Sequence, residues 1–226
     1  MTANGWLQIA LFTAAVALVA PPLGRYLVAV YAGRVRFLAP VERALYAAAG
    51  VRPELGQRWP QYGGALLLFS LVSCALTYLV LRVQDRLPFN PQRLAALPAR
   101  QAFETATSFT TNTNWQSYAG ESTMSYLSQA TQLAFHNFAS AAVGLAAAVA
   151  LVRGLANRRG ALPNGEGAAA GDAPALPAGH VGNFWADLVR GTLYVLLPLS
   201  LVVALAMTQQ GVIQTWAPYL KLTTLE

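Results

Sequence analysis

Charged residues are absent from four long intervals of the chain. No Lys, Arg, Asp or Glu occurs in residues 1–24, 59–81, 122–152 and 191–220. A helix rises 1.5 Å per residue, so about 20 apolar residues cross the roughly 30 Å hydrocarbon core of a bilayer. Each interval is long enough for a crossing. The pattern therefore predicts four membrane-spanning helices, at about 5–24, 62–83, 126–152 and 185–208.

The first interval is followed by residues that break helices. Pro21, Pro22 and Gly24 are expected to close the first helix. A signal peptide is the alternative for this interval, but the segment lacks a basic region before its apolar run. Residues 36–50 have a weak helical period and are predicted to lie along the membrane interface.

Composition supports a membrane protein and excludes several other classes. The chain is 55% hydrophobic and 11% charged, whereas soluble domains average about 25% charged residues. Its single cysteine excludes a disulfide framework and a cysteine-based metal cluster. No basic run is interleaved with aromatic residues, so we expect no nucleic-acid partner. The formal net charge of +6 instead suggests basic cytoplasmic loops.

The positions of the basic residues predict an orientation. Loops one and three together carry ten arginines, whereas loop two and the C-terminal tail carry five basic residues. The positive-inside rule therefore places loops 25–60 and 153–184 in the cytoplasm. The N-terminus and the loop between spans two and three then face outward.

One segment is too rich in small residues to fold independently. Of the 26 residues from 157 to 182, 16 are Gly, Ala or Pro. Such a composition buries too little apolar surface to order a chain. It predicts a flexible cytoplasmic linker.

The outer loop between spans two and three has an unusual order of elements. Three prolines follow span two, and residues 100–110 then form a predicted helix with an apolar stripe of Ala102, Phe103, Ala106 and Phe109. Eleven residues extend about 16 Å, roughly half a bilayer core. The uncharged stretch FTTNTNWQ, residues 109–116, comes next, followed by span three. This order is typical of a re-entrant pore loop.

The uncharged stretch has the chemistry of a cation site. Irregular backbone at membrane depth exposes carbonyl oxygens, which can replace the hydration shell of a monovalent cation. The negative C-terminal end of the preceding helix would face the same point. Asn112 and Asn114 are among the few residues other than glycine that adopt left-handed backbone angles. Thr and Asn side chains behind the loop are expected to satisfy its N–H groups, Trp115 to brace it, and Gln116 to offer a neutral amide at its inner end.

These residues alone leave two other interpretations open. TTNTN is also compatible with an extracellular turn rich in side chain–backbone hydrogen bonds, or with a site for an unrelated substrate. No N-x-[ST] sequon occurs in the stretch, so glycosylation does not explain it.

A family resemblance narrows these alternatives. The segments SFTTNTNWQSYAGEST and SYLSQATQLAFHNFASAAVG resemble the first pore loop and following helix of the potassium-binding subunit of the bacterial Kdp potassium-transporting ATPase, the KdpA family. LAPVERALYAAAGV, LPFNPQ and GNFWADLVRGTLYVLLPLSL continue the resemblance along nearly the whole chain, except the linker.

The resemblance implies a fold and a function. The family belongs to a superfamily of potassium transporters that repeats a span–pore helix–span unit around one pore, after an extra first helix. It implies that the backbone of Thr111, Asn112, Thr113 and Asn114 supplies one quarter of a K⁺ filter, with Gln116 below it on the ion path. K⁺ is then the transported ion, and no organic cofactor is expected. The family subunit passes K⁺ through an intramembrane tunnel to a P-type ATPase subunit.

The resemblance also implies partners and a location. Neither a D-K-T-G loop nor a P-loop occurs in the chain, so it is expected not to be an enzyme itself and ATP hydrolysis is expected in the partner subunit. The Kdp complex would add small accessory subunits, with membrane lipid around it, in the bacterial inner membrane. Family members have four filter loops and this sequence has one. It is therefore expected to be a fragment or the product of a truncated gene, and not to conduct alone.

Four ionisable residues lie in the predicted helices and have candidate roles of their own. His136 lies within span three without a second His or an acid there, which favours a packed, hydrogen-bonded histidine. Glu104 is predicted to lie in the first turn of the pore helix, where a carboxylate suits the helix dipole. The alternative is that its negative charge acts on the bound ion. Asp187 and Arg190, three residues apart, are predicted to form a helix pair or to contact a partner subunit.

The sequence thus predicts an all-α polytopic membrane protein with an extra N-terminal helix, one span–pore loop–span unit and a further span. Its parts are the first helix and loop at 1–60, the pore-loop unit at 61–156, the linker at 157–182, and the last span with an outer segment at 183–226. Two other functions stay open: a channel-like K⁺ transporter of the same superfamily, and a non-conducting structural membrane subunit.

Overall fold

Four long helices form the frame of the molecule. The computed structural model describes residues 2–160, 179–213, 215 and 217 of the 226-residue chain. The helices long and apolar enough to cross a membrane are Ala3–Tyr31, Trp59–Arg82, Tyr126–Ala156 and Phe184–Gln209. We call them the first to fourth spans. The prediction of four spans and an all-α membrane fold is confirmed.

Shorter elements connect and interrupt these spans. In chain order the elements are α1 (Ala3–Tyr31), α2 (Ala39–Ala49), β1 (Gln57–Arg58), α3 (Trp59–Arg82), a 3₁₀ turn (Gln84–Arg86), α4 (Ala99–Thr110), α5 (Gly120–Thr123), α6 (Tyr126–Ser128), α7 (Ala134–Gly160), β2 (His180–Gly182), α8 (Phe184–Arg190) and α9 (Leu197–Gln209). A π-helical segment at Gln129–Leu133 joins α6 to α7, and another at Gly191–Leu196 joins α8 to α9.

The first helix is longer than the sequence predicts. The expectation that Pro21 and Pro22 close it is wrong, because α1 continues through both prolines to Tyr31. Proline removes a backbone hydrogen bond, but spanning helices tolerate it where neighbouring helices compensate. Here Val30 is fully buried in a cluster with the fourth span, and the Tyr26 hydroxyl donates to the carbonyl of Tyr194 at 2.6 Å. These contacts hold the segment after the prolines in a helix.

A two-stranded ladder joins loop one to the residues before the fourth span. Strand β1 pairs antiparallel with β2. Beside it, Asn183 donates from Nδ2 to the carbonyls of Arg52 and Leu55, at 3.1 and 2.9 Å. The predicted linker at 157–182 is thus too wide at both ends, since α7 extends to Gly160 and β2 begins at His180. Residues 161–178 lie outside the described part of the chain.

Two ion pairs, each between a buried carboxylate and a partly buried arginine, lie close to this ladder. We call their four members the ion-pair clasp: Glu42, Arg153, Asp187 and Arg190. The Arg153 guanidinium contacts both oxygens of Asp187, at 2.6 and 3.1 Å. Arg190 donates from Nε to Glu42 Oε1 at 2.9 Å. The predicted Asp187–Arg190 helix pair is therefore wrong. Each residue pairs with another element instead, because a buried charge gains more from a dry, well-aligned partner than from a neighbour on its own helix.

The clasp also closes the C-terminal end of α1. Arg153 Nη2 and Arg190 Nη1 both donate to the carbonyl of Tyr31, at 3.2 and 3.5 Å. Cations suit this end because the last carbonyls of a helix carry a partial negative charge. Two glycines make room for the guanidinium groups. A Cβ on Gly33 would lie 3.0 Å from Arg190 Nη2, and one on Gly182 would collide with Arg153 Nη1.

Glu42 is the clasp member that lies outside the spans. It is buried, and burial raises the pKa of its carboxyl group. Hydrogen bonds from Tyr194, Tyr46 and Arg190 lower that pKa by more, so the net value lies below the ordinary one. The tyrosine hydroxyls donate at 2.7 and 2.8 Å. The folded state therefore holds Glu42 ionised.

Loops one and three meet at the same end of the molecule. The strand ladder, the Asn183 bonds and the clasp all connect them. This agrees with a chain that crosses a membrane between successive loops. The side of the membrane on which this end lies stays a prediction.

We expect the buried ion pair between Arg153 and Asp187 to be essential for stability. Asp187→Asn leaves a guanidinium without its counter-charge and should cost about 3–5 kcal/mol of the free energy of unfolding. Thermal unfolding of the purified protein in mild detergent measures this. Glu104→Gln is the matched control, since its partner Arg100 has a side chain that is 91% exposed, and it should cost less than about 1 kcal/mol. Equal losses in the two variants would contradict the assignment.

Stability should depend on pH through Glu42. Because its folded pKa is lowered, the carboxylate contributes fully above the unfolded value of about 4.3 and loses that contribution as the pH falls through the folded value. The difference in unfolding temperature between the native chain and Glu42→Gln should therefore be constant near neutral pH and shrink in acid. A difference that grows in acid would be inconsistent with this pairing.

Candidate functional site

The half-length helix predicted in the outer loop is present. Helix α4 has 12 residues and packs between the second and third spans. Ala102, Ala106 and Phe109 of the predicted apolar stripe are buried, and Phe109 lies in a cluster with Leu81 of the second span. Phe103 of the same stripe is exposed, so the stripe is only partly buried.

The segment after α4 folds back as a cap on that helix. The N–H of Asn112 donates to the carbonyl of Phe109 at 3.2 Å, and the N–H of Thr113 donates to the carbonyl of Ser108 at 3.0 Å. With Thr111 as the C-cap residue, this is the bond pair of a Schellman motif. Such a motif needs a left-handed residue directly after the C-cap, and Asn112 occupies that position.

Both asparagines of the segment have left-handed backbone angles, as the sequence predicts. Asn112 has φ 60° and Asn114 has φ 54°. Few residues other than glycine adopt these angles, and asparagine is the most common exception. The cap accounts for Asn112 alone. A second left-handed residue two positions later turns the backbone again, beyond what the end of a helix requires.

The amide groups of residues 111–114 form hydrogen bonds with the described residues, whereas the carbonyl groups of these residues do not. All four N–H groups donate to carbonyls in the last turn of α4, those of Thr107, Ser108 and Phe109. The Ser108 carbonyl accepts two of them, those of residues 113 and 114, at 3.0 and 3.3 Å. The four carbonyls of residues 111–114 accept no hydrogen bond from any described residue. These oxygens are available to a ligand.

Side chains brace the segment from the side of α4. The Thr113 hydroxyl donates to the Ser108 carbonyl at 3.0 Å, and the Thr111 hydroxyl shares its proton between the carbonyls of Thr107 and Ser108, at 2.9 and 3.2 Å. The Ser108 hydroxyl donates to the Trp115 carbonyl at 3.0 Å. The expectation that Thr and Asn side chains satisfy the N–H groups is therefore wrong, because the backbone of α4 does so. The hydroxyls instead tighten the turn around Ser108.

The remaining predicted site residues lie at the surface of the chain. Trp115 is half exposed and Gln116 is exposed. Neither side chain has a hydrogen bond among those formed by the described residues. Their predicted roles, a brace and a point on the ion path, stay predictions.

The third span carries a polar stripe that the sequence analysis missed. Its buried polar residues are three or four positions apart, which places them on one helical face; they are Ser125, Ser128, Gln132, His136 and Ser140. The spacing was visible in the sequence, but polarity alone does not tell a buried face from an exposed one. The stripe faces α3, α4 and the segment after α4.

The predicted environment of His136 is confirmed. The side chain is 2% exposed. Its Nδ1 lies 2.8 Å from the Gln132 carbonyl and 3.3 Å from the Thr77 hydroxyl, and its Nε2 lies 3.3 Å from the Thr110 hydroxyl. It is thus a packed, hydrogen-bonded histidine.

A buried glutamine fixes the two ends of the outer segment. Gln84 is fully buried at the end of the second span. Its Nε2 donates to the carbonyls of Ala95 and Thr123, at 2.7 and 2.8 Å, and its Oε1 accepts from Ser125 N and the Ser128 hydroxyl, at 3.2 and 2.9 Å. All the hydrogen-bonding groups of the amide are used. The chain therefore enters and leaves the α4 region at one fixed point.

The acidic residues do not gather near the free carbonyls. Glu104 lies beyond the first turn of α4, so its predicted position there is wrong, and it pairs with Arg100 at 2.9 Å. Asp187 belongs to the clasp. Among the described residues, no three His, Cys, Asp or Glu side chains come together as a possible metal site. The arrangement offers neutral oxygens only, which suit a weakly held monovalent cation.

The fold and the site together define a class. This is a multi-pass α-helical membrane protein in which a half-length helix, and a loop whose carbonyls have no hydrogen-bond partner among the described residues, interrupt the path between two spans.

Comparison with known proteins gives the family. The family profile of the potassium-transporting ATPase A subunit, KdpA, matches residues 10–226. The potassium-transporting ATPase potassium-binding subunits of Solibacter usitatus and Methylorubrum extorquens are 49% and 47% identical to the whole of this chain. That of Nitratidesulfovibrio vulgaris is 49% identical to 97% of it. The chain belongs to this family of potassium-transporting ATPase A subunits. It spans 37% of the length of the first two relatives and 36% of the third.

We expect residue 112 to need a left-handed conformation. Asn112→Ala places a residue with no local side-chain hydrogen bonding at φ 60° and should cost about 1–2 kcal/mol of unfolding free energy. Asn112→Gly should stay closer to the native stability, because glycine adopts this angle freely. Thermal unfolding and amide hydrogen exchange at Thr113 report the two effects. Gln116→Ala, at a residue without a positive φ, is the control and should change stability by less than about 0.5 kcal/mol.

Proposed function

We propose that this chain forms part of the K⁺-binding subunit of a potassium-transporting ATPase. The carbonyls of Thr111, Asn112, Thr113 and Asn114 would contribute one quarter of a filter that strips the hydration shell from external K⁺. The subunit then delivers the ion to an ATPase partner that hydrolyses ATP. The observation that carries the proposal is the segment at 111–114, whose N–H groups are all engaged while its carbonyls accept no hydrogen bond within the described part of the chain.

The chemistry of the segment suits a transported ion. Rings of carbonyl oxygens replace the water around K⁺, and they hold it weakly enough for release. Residues 109–118 carry no charge, so no carboxylate would trap the cation. A segment that supplies four oxygens from one side cannot surround an ion. Further segments must complete the ring, and we infer that they belong to the rest of the potassium-binding subunit.

The family supports the choice of ion and partner. The relatives are named as potassium-binding subunits of a potassium-transporting ATPase. We propose that the chain works in a bacterial inner membrane, with the free carbonyls outside and the clasp end in the cytoplasm. The ATPase subunit and small accessory subunits are its proposed partners. Gln116 would lie below the filter on the ion path, and Trp115 would support the filter within the assembled complex.

A charge at either end of the segment should change ion selection. Asn112→Asp introduces a carboxylate that binds cations less selectively, and Gln116→Arg introduces a cation that repels K⁺ from the path. In the complete transport complex, we expect both variants to lower the apparent K⁺ affinity or the discrimination against Na⁺ and Rb⁺ by about tenfold, which corresponds to roughly 1.4 kcal/mol. Potassium-stimulated ATP hydrolysis and Rb⁺ uptake measure these quantities.

Gln210→Glu provides the control for an added charge, since Gln210 lies exposed at the end of the fourth span. It should leave both quantities unchanged. If the Asn112 and Gln116 variants also keep native affinity and discrimination, the segment is a plain turn and the proposed filter is wrong.

A further inference from the structure

The segment at 111–114 has contacts beyond α4, and these come from the third span. The Ser140 hydroxyl oxygen lies 3.2 Å from Asn112 Oδ1 and also within hydrogen-bond distance of the His136 carbonyl, so its one proton is shared between these two acceptors. One helical turn earlier, His136 Nε2 lies 3.3 Å from the Thr110 hydroxyl. Thr110 and Asn112 are the last residue of α4 and the left-handed residue of its cap. We call His136 and Ser140 the third-span anchor.

The protonation state of His136 follows from its partners. The Gln132 carbonyl, 2.8 Å from Nδ1, can only accept a hydrogen bond, so Nδ1 carries the proton. Nε2 of the neutral ring then has a lone pair directed at Thr110, whose hydroxyl donates. Thr77 completes the surroundings from the second span, with its hydroxyl 3.3 Å from Nδ1 and donating to Gln132 Oε1 at 3.0 Å. The imidazole is therefore fixed in one orientation.

The third-span anchor restrains the side chain of Asn112, which the cap on α4 does not hold. The cap fixes the N–H groups of the segment, but the side chain of Asn112 is exposed apart from its bond to Ser140. That bond restricts rotation of the residue whose carbonyl is proposed to face the ion. The bond from Thr110 to His136 fixes the end of α4 relative to the third span. Two contacts, on either side of Thr111, hold the segment against a rigid helix.

We propose that His136 and Ser140 are positioning residues that set the spacing of the filter carbonyls, and hence the discrimination between K⁺ and ions of similar size. They act through Thr110 and Asn112 and do not touch the ion. This inference rests on the proposed function of residues 111–114. It adds that selectivity depends on a helix behind the filter as well as on the filter itself.

The test removes one hydroxyl at a time in the complete transport complex. Ser140→Ala and Thr110→Val each delete one bond of the anchor with little change in volume. We expect each to shift the Rb⁺-to-K⁺ ratio of apparent affinities by about 3- to 10-fold, the range that one hydrogen bond supplies. Ser140→Thr keeps the hydroxyl and should restore the native ratio. Unfolding temperature is measured alongside, because a purely structural role would lower it without changing the ratio.

The chain offers a closely matched control. Ser73 is buried in the second span, and its hydroxyl donates to the carbonyl four residues earlier, that of Phe69. Ser140 does the same with the carbonyl of His136, but it also contacts Asn112. Ser73→Ala should therefore leave the ion ratio unchanged. A Ser73→Ala effect equal to that of Ser140→Ala would overturn the proposal.

Double variants test whether Ser140 changes the Rb⁺-to-K⁺ ratio through Asn112. Asn112→Gly removes the side chain but supplies the left-handed angle, so it should reproduce the ratio of Ser140→Ala. The combination of Ser140→Ala with Asn112→Gly should shift the ratio no further than either alone. An additive shift would overturn the proposed route through Asn112.

The two proposals fail in different ways. If Ser140→Ala and Thr110→Val keep the native ratio while Asn112→Asp or Gln116→Arg changes it, the filter stands and the anchor is wrong. If neither Asn112→Asp nor Gln116→Arg changes affinity or discrimination, the filter itself is wrong and the anchor is wrong with it.

Discussion

Backbone amides just beyond the end of a helix have no partner in a continuing helix, and this constraint governs the segment after α4. The chain meets it by turning the segment back onto the last turn of its own helix, where the Ser108 carbonyl collects amide and hydroxyl donors. Every N–H of residues 111–114 is thereby used internally. The carbonyls of residues 111–113 point away from that turn as a result, since each shares a peptide unit with an engaged amide and a peptide unit carries its two polar groups on opposite sides.

The molecule separates two kinds of polar chemistry between its ends. Around loops one and three, charged side chains neutralise one another in the ion-pair clasp and link α2, α7 and α8 to each other and to the end of α1. Around α4, every buried polar group of the stripe and of Gln84 is neutral, and hydroxyls and amides form the contacts. A neutral network can surround an ion-binding segment without competing for the ion through fixed charge.

The sequence was sufficient for the features that depend on local pattern. Charge-free intervals gave the four spans, and the choice of asparagine at 112 and 114 gave two left-handed residues. It was insufficient where tertiary contacts decide. Helix α1 continues past Pro21 because it packs against the fourth span. Asp187 forms its ion pair with Arg153, which lies on a helix distant in the sequence. The hydrophobic periodicity of one segment does not show which residue of another segment it will contact.

The polar stripe on the third span has a consequence for how the chain enters a membrane. Its buried hydroxyl, amide and imidazole groups lower the preference of the first half of that span for lipid. Their partners lie on α3 and α4, which are synthesised earlier. The third span is therefore expected to leave the translocon together with the preceding hairpin, so that biogenesis assembles the segment and the helix behind it as one unit.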